Sequence, residues 1–271
     1  MRELIIIACL VLGVCVARGQ KYPALSLDGT GDSFAAADSA NLDLGTNPFT
    51  ICAWIKTSTS IGVVFDKYDA GAGQYNMQIT ASGVIRGFTY NAGFGVDVSG
   101  TTDLRDGAWH HVAFVVNFPD PDGDAFVYVD GIEEGNDFIG INKDTDGNTA
   151  LLIGTDTIAN DFNGDLDDLR IYSRGLKTAE IAKLANMNRH GLAAGGGIPY
   201  DPKFGDAWGG TNTGSLVFGP LRNPHTPGST ISTGVVDRVS GSQLAVNGNP
   251  TADGNSPLSG QKINSGGSFT P

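Results

Sequence analysis

The 271-residue chain holds 39 glycines, only 17% charged residues and a formal net charge of −12. The acid excess argues against nucleic acid as a partner, because a polyanion needs a basic face. The glycine content and low charge fit many short strands and turns rather than a helical bundle.

Leu4 to Val16 form an apolar run flanked by Arg2 on one side and Ala17-Arg18-Gly19 on the other. The run is too short for a bilayer span, which needs about 20 residues. Small residues stand at −3 and −1 of a cut after Gly19. Residues 1–19 therefore read as a secretory signal peptide, and the mature chain as secreted and extracellular with no membrane span. Cys9 and Cys15 leave with the signal, and Cys52 remains alone in FTICAWI as a buried thiol. A secreted β domain without a disulfide needs a large core, and often a metal.

Candidate strands follow at Ala24–Leu27, Phe34–Ala36, Phe49–Lys56, Val63–Tyr68, Tyr75–Thr80, Val84–Tyr90, Val96–Val98, Trp109–Phe118, Ala125–Asp130, Ala150–Gly154 and Gly164–Tyr172. Gly- and Asp-rich breakers separate them, and Asp-Gly between apolar runs is a hairpin signal. The pattern predicts an all-β fold, an antiparallel two-sheet jelly-roll sandwich. One short helix follows at Thr178–Met187, with Thr178 as the expected N-cap and an apolar stripe of Ile181, Leu184, Ala185 and Met187. From residue 190 to 271 the chain becomes a Gly/Ser/Pro-rich extension with apolar islands at Leu216–Phe218, Val235–Val239 and Leu244–Val246. This extension reads as an extended or disordered tail, or as strands that order only by pairing with another subunit's sheet edge.

FNGDLDDLRIY (Phe162–Tyr172) contains the acids Asp165, Asp167 and Asp168 inside an apolar strand pattern. Leu166, Leu169 and Ile171 are spaced 3 then 2, a one-residue slip that predicts a bulge beside the acid pair. A buried strand with two adjacent carboxylates needs a cation to meet them.

Five segments in order resemble the laminin-G-like, concanavalin-A-like jelly-roll family: ALSLDGTGDSF (Ala24–Phe34), FTICAWIK (Phe49–Lys56), WHHVAFVV (Trp109–Val116), VYVDG (Val127–Gly131) and FNGDLDDLRIYSRGLKTAEI (Phe162–Ile181). The resemblance covers about residues 22–187, within a domain set at 20–189. Lys177 departs from it, standing where the family usually has Ser or Thr as the helix N-cap. The resemblance implies a concave and a convex sheet, and a structural calcium site where chain start and chain end meet. The positions matching the family's ligands are Asp28, Asp32, Asp167 and Asp168. Calcium takes six to eight oxygens, and Asp28-Gly29-Thr30-Gly31-Asp32 offers two carboxylates on a turning backbone. Asp167 is the expected ligand of the acid pair, with Asp168 ligating through its backbone or partnering Arg170.

The other acidic loops, Asp120–Asp124 and Asp144–Asn148, lack the closing Glu and Gly position of an EF-hand and read as turns. His110 and His111 alternate across a strand and cannot grip one metal together. No Glu-x-Asp or Glu-x-Glu pair exists for glycan hydrolysis; Glu133 and Glu134 are adjacent, and Glu180 is on the helix. The chain is therefore expected not to be an enzyme. Tyr68, Tyr75, Phe88, Tyr90 and Phe94 are the aromatics beside the Gly-rich middle section that could stack on sugar, but for each the core is the stronger reading and none is named as a ligand. The expected function is a binding or adhesion module for a glycan or an extracellular protein. The alternative is a structural subunit of an extracellular filament or matrix, forming a homo-oligomer through its tail.

Overall fold

The computed structural model describes residues 24–69, 73–91, 95–117, 125–138, 144–158, 160–186, 216–218, 221–222, 228–233, 235–237, 242–253, 262–263 and 269–270. The predicted signal peptide, Phe94 and the Asp120–Asp124 loop lie outside these residues. Within them the strands are β1 (Ala24–Asp28), β2 (Ser33–Ala36), β3 (Phe49–Lys56), β4 (Gly62–Asp69), β5 (Gly73–Ile79), β6 (Ile85–Tyr90), β7 (Asp97–Ser99), β8 (His110–Val116), β9 (Ala125–Val129), β10 (Ile132–Asp137), β11 (Leu151–Ile153) and β12 (Asn163–Tyr172). One helix, α1 (Thr178–Asn186), follows them. Then come β13 (Leu216–Phe218), β14 (Leu221–Arg222), β15 (Val236–Asp237), β16 (Ala245–Asn247) and β17 (Thr251–Asp253).

Two antiparallel sheets form the sandwich. The first runs β10-β9-β8-β3-β12-β1-β17, with β13 also paired to β12; the second runs β16-β2-β11-β4-β5-β6-β7. Side chains alternating inward from both sheets form one apolar cluster, including Phe34, Phe49, Ile51, Phe65, Tyr75, Phe114 and Ile171. Phe49 holds Tyr75 and Phe114 at ring-centroid distances of 5.8 and 5.9 Å. Gly87 of β6 lies over Phe114, and a Cβ there would fall 2.2 Å from the ring. The missing side chain lets β6 lie close on the core.

The predicted bulge is present in β12. Pairing to β3 passes from Asp167↔Trp54 to Arg170↔Cys52, so Asp168 and Leu169 together oppose Ala53 alone. Asp168 takes a left-handed backbone, φ 49°, which Asp tolerates better than most residues. The slip keeps Leu166, Leu169 and Ile171 in the core. It also turns Asp168, Arg170 and Tyr172 toward the layer beneath α1, where Cys52, Tyr128, Leu176, Ile181 and Leu184 form a second apolar cluster with Tyr172.

Three features differ from expectation. β10 is hidden because IEEGND has no apolar alternation; it is an edge strand with Glu133 exposed and Glu134 and Asp137 half-buried. The Asp130-Gly131 turn, with φ of 51° and 84°, folds it back on β9. The helix is capped at Lys177, whose carbonyl receives the Ile181 N–H and whose N–H donates to Glu180 Oε2. Arg174 holds Glu180 in place through two bonds, at 2.9 and 2.8 Å. Thr178 instead places its hydroxyl 3.2 Å from Tyr128 Oη. Part of the described tail is also built into the domain, while β14 and β15 pair with each other, as do Lys262–Ile263 and Phe269–Thr270. β17 extends the first sheet beside β1, β16 extends the second beside β2, and Ile231, Val235, Leu244 and Ala252 join the central core. The apolar islands thus find their partner edges within their own chain.

Candidate functional site

The four carboxylates assigned to calcium are divided between two places. Asp28 is exposed at the end of β1 and caps its own turn, accepting from the Thr30 N–H. Asp32 is buried; its Oδ2 accepts from the Asp28 N–H and its Oδ1 from the Asn249 N–H, which ties the opening turn to the tail. Asp28 pairs with Asn163, four residues before Asp167, so the acid pair lies about 13 Å further along the strand at ~3.3 Å per residue. Asp167 accepts from the Asp168 N–H. Asp168 meets Arg170 through two bonds, at 2.7 and 2.6 Å, with both side chains buried. The cation that the sequence requires at the acid pair is the Arg170 guanidinium. These four residues do not fit a single ion. Among the described residues no group of three or more His, Cys, Asp or Glu side chains is arranged to hold one.

The Asp144–Asn148 loop also meets an internal cation. Lys67, fully buried, places Nζ 2.9 Å from Asp38 and 3.1 Å from Asp43 and donates to the Gly147 carbonyl. His110 and His111 diverge as expected. His110 lies between Asp130 and Asp106, which raise its pKa. His111 packs edge-to-face against Trp54 at 5.6 Å, and burial lowers its pKa to about 3. Burial pushes the Cys52 thiol up to about 12. Each glutamate among the described residues has a structural partner: Glu134 accepts from the Thr101 and Thr102 N–H groups, Glu133 lies near Tyr128 Oη, and Glu180 caps α1.

The outward face of β4, β5 and β6 is different. Alternation sends Asp66 and Tyr68, then Gln74, Asn76 and Gln78, then Arg86, Phe88 and Tyr90 away from the core. The register sets them in ranks across the sheet: Tyr68, Gln74 and Tyr90; Asp66, Asn76 and Phe88; and Gln78 beside Arg86. With Asp156, Thr157, Ile158 and Asn160 from a neighbouring loop they line a groove of about 550 Å³.

The floor of the groove is polar and buried. Asp66 and Asn76 are each 1% exposed. Asp66 Oδ1 accepts from Gln74 Nε2 at 2.6 Å and from Asn76 Nδ2 at 3.0 Å. Asp66 Oδ2 and Asn76 Oδ1 have no hydrogen-bond partner. Burial raises the Asp66 pKa, and the two amide donors oppose it. The rim is aromatic: Tyr90 is 47% exposed, and Arg86 lies 4.6 Å over the Phe88 ring. Asp156 shapes the loop, accepting from the Ile158 and Asn160 N–H groups and from Asn160 Nδ2. Such a surface offers ring faces for stacking above oxygen acceptors for hydroxyl groups.

Of the five aromatics considered from sequence, Tyr68, Phe88 and Tyr90 line this groove. Tyr75 is core, donating its hydroxyl to the Leu42 carbonyl. Asp66, Gln74, Asn76, Gln78 and Arg86 also line the groove and belong to no motif in the sequence. The available signal was the alternation of Gln74, Asn76 and Gln78 across an otherwise apolar strand, which reads equally as a wet outer face.

A laminin G family model, described as the concanavalin A-like lectin/glucanases superfamily, matches residues 28–182. No curated protein sequence matches the chain. Among solved structures, a Bacteroides ovatus protein named for carbohydrate binding aligns with a TM-score of 0.55 at 16% identity, over 86% of this chain and 60% of its own. The Ruminococcus gnavus sialidase module CBM40, bound to α2,3-sialyllactose, aligns with a TM-score of 0.50 at 14% identity, over 60% of this chain and 96% of its own. Domains LG4-5 of the mouse laminin α1 chain align with a TM-score of 0.47 at 16% identity, over 60% of this chain and 45% of theirs. At these identities the likeness concerns the fold.

Proposed function

The chain belongs to the concanavalin A-like lectin/glucanases superfamily, and from that premise we propose that it is a secreted, non-enzymatic module that binds a glycan on the outer face of β4, β5 and β6. The observation that carries this reading is the pairing of an exposed aromatic rim with a buried polar floor that keeps two unpartnered acceptors, Asp66 Oδ2 and Asn76 Oδ1. A floor left in that condition costs stability, about 1–3 kcal/mol per unsatisfied group, and a ligand hydroxyl would offset the cost. Binding is favoured over hydrolysis because Asp156, the other groove carboxylate, has both oxygens occupied by loop donors. The tail's place in its own sheets favours a self-contained module over an assembly subunit.

A glycan array probed with the mature chain tests the reading, repeated with Tyr90→Ala and Asp66→Ala. We expect binding by the wild type and at least a tenfold loss in each variant, with Tyr90→Ala still melting as the wild type does. No glycan bound, or binding indifferent to both substitutions, would overturn it.

A further inference from the structure

Resting on that reading, the groove also carries a statement about which sugars it accepts. Among the described residues that line it, the one cationic side chain, Arg86, is already committed. Arg86 donates Nε to Asp97 Oδ1 and Nη2 to Asp97 Oδ2, both at 2.6 Å, and its guanidinium plane lies over Phe88. The pair is bidentate, the geometry in which Arg and carboxylate satisfy each other most fully. Asp97 reaches Arg86 from β7, the neighbouring edge strand, where it stands opposite Phe88 in the register. The remaining charges lining the groove, Asp66 and Asp156, are negative. The two unpartnered buried atoms, on Asp66 and Asn76, are both acceptors. A ligand group entering there must bring a donor, O–H or N–H, and a ligand carboxylate or sulfate would find no free cation and two like charges.

We propose that the groove selects uncharged, hydroxyl-rich sugars and rejects acidic ones, and that Asp97 sets this selectivity by neutralising Arg86. Asp97 needs no contact with the ligand to do so. It is a positioning residue whose loss changes which ligand charge is admitted. Asp97→Asn keeps the shape and one acceptor but removes the charge, so it leaves Arg86 able to meet a ligand carboxylate. Its side chain is 56% exposed, and the substitution leaves the core untouched.

The test uses matched pairs differing only in an acidic group, on an array and then by calorimetry at low and at physiological salt. Suitable pairs are lactose with 3′-sialyllactose, galactan with polygalacturonate, and mannan with alginate. The wild type is expected to bind neutral members at least tenfold more tightly than acidic ones. Asp97→Asn should gain at least fivefold for acidic members, in a salt-dependent manner. Adding Arg86→Gln to Asp97→Asn should abolish that gain. Acidic members bound by the wild type as tightly as neutral ones, with Tyr90→Ala still weakening both, would overturn the selectivity while leaving the groove as the binding site. So would an Asp97→Asn variant with unchanged preference. Binding that ignores Tyr90→Ala, or no binding at all, would overturn the groove reading and the selectivity together.

Discussion

Replacing Asp168 by Asn removes a single negative charge from beneath α1 and takes from the Arg170 guanidinium its bidentate carboxylate. The Arg170 side chain is 0% exposed and that of Asp168 3%, so water cannot replace the lost partner. Breaking a buried pair from one side costs about 3–5 kcal/mol. Asn is the better probe than Ala, because φ is 49° at this position and a left-handed Ala would add its own backbone cost of about 1–2 kcal/mol. Asn still accepts one hydrogen bond from Arg170, so the lower end applies, about 3 kcal/mol. A loss of that size is a large share of the 5–15 kcal/mol typical of a domain, and should lower Tm by roughly 6–12 °C. Urea unfolding followed by tryptophan fluorescence measures it. Asp168→Asn combined with Arg170→Met removes the stranded charge and should recover most of the loss. A single variant within about 1 kcal/mol of wild type would refute the argument. So would a double variant no better than the single, because charge compensation would then not be the work of the acid pair.

Further outcomes follow from the same structure. His110 and His111 should titrate in opposite directions by imidazole NMR, His110 above its usual value and His111 silent until near pH 3. A folded-state pKa lowered to about 3 means that the unfolded chain takes up the His111 proton first. The His111 contribution is therefore present above about pH 6.5 and lost as pH falls, on the order of 3 kcal/mol by pH 4.5. The raised value of His110 has the opposite sign: its contribution is present below pH 6.5 and lost as pH rises through the folded-state value. Joint titration of both rings near pH 6.5 would contradict the burial of His111. Chelation by EDTA should shift the melting temperature of wild type and Asp167→Ala equally, because Asp167 stands apart from Asp28 and Asp32; a shift in wild type alone would contradict that separation. Truncation after Asn186 removes Ile231, Val235, Leu244 and Ala252 from the core and bares the edges of β1 and β2. The shortened chain should unfold earlier or aggregate, each lost large side chain costing about 1.5–3 kcal/mol; an unchanged unfolding midpoint would contradict the tail's place in the sandwich.

Much of the fold is written in the alternation of apolar residues. FTICAWIK marks β3 at the bounds the structure gives it, and the 3-then-2 spacing in FNGDLDDLRIY marks the bulge, because a core position cannot be skipped without moving every later side chain to the other face. β10 was not legible, because an exposed edge strand has no inner face to declare itself. Nor was the tail's role: Leu244 and Val235 are too isolated in sequence to announce a core, and they become buried only where the two sheets already offer unpaired edges. The acid pair demands a cation, and two suppliers are visible in the sequence: calcium from the family likeness and Arg170 two residues on. Burial and the bulge join Asp168 to Arg170. The groove was the least legible part. Polar residues on one face of β5 read as solvent-facing, and only the packing of β4 and of the loop around Asp156 buries Asp66 and Asn76 with acceptors unpartnered.

The binding face is tested most directly by titrating a glycan selected from the array into isotopically labelled protein and following amide chemical shifts. The largest changes are expected on residues 66–68, 74–78, 86–90 and 156–160, with the Asp66 backbone amide and the Asn76 side-chain amide among them. Changes concentrated on the α1 side of the first sheet, or at the Asp28–Asp32 turn, would contradict it.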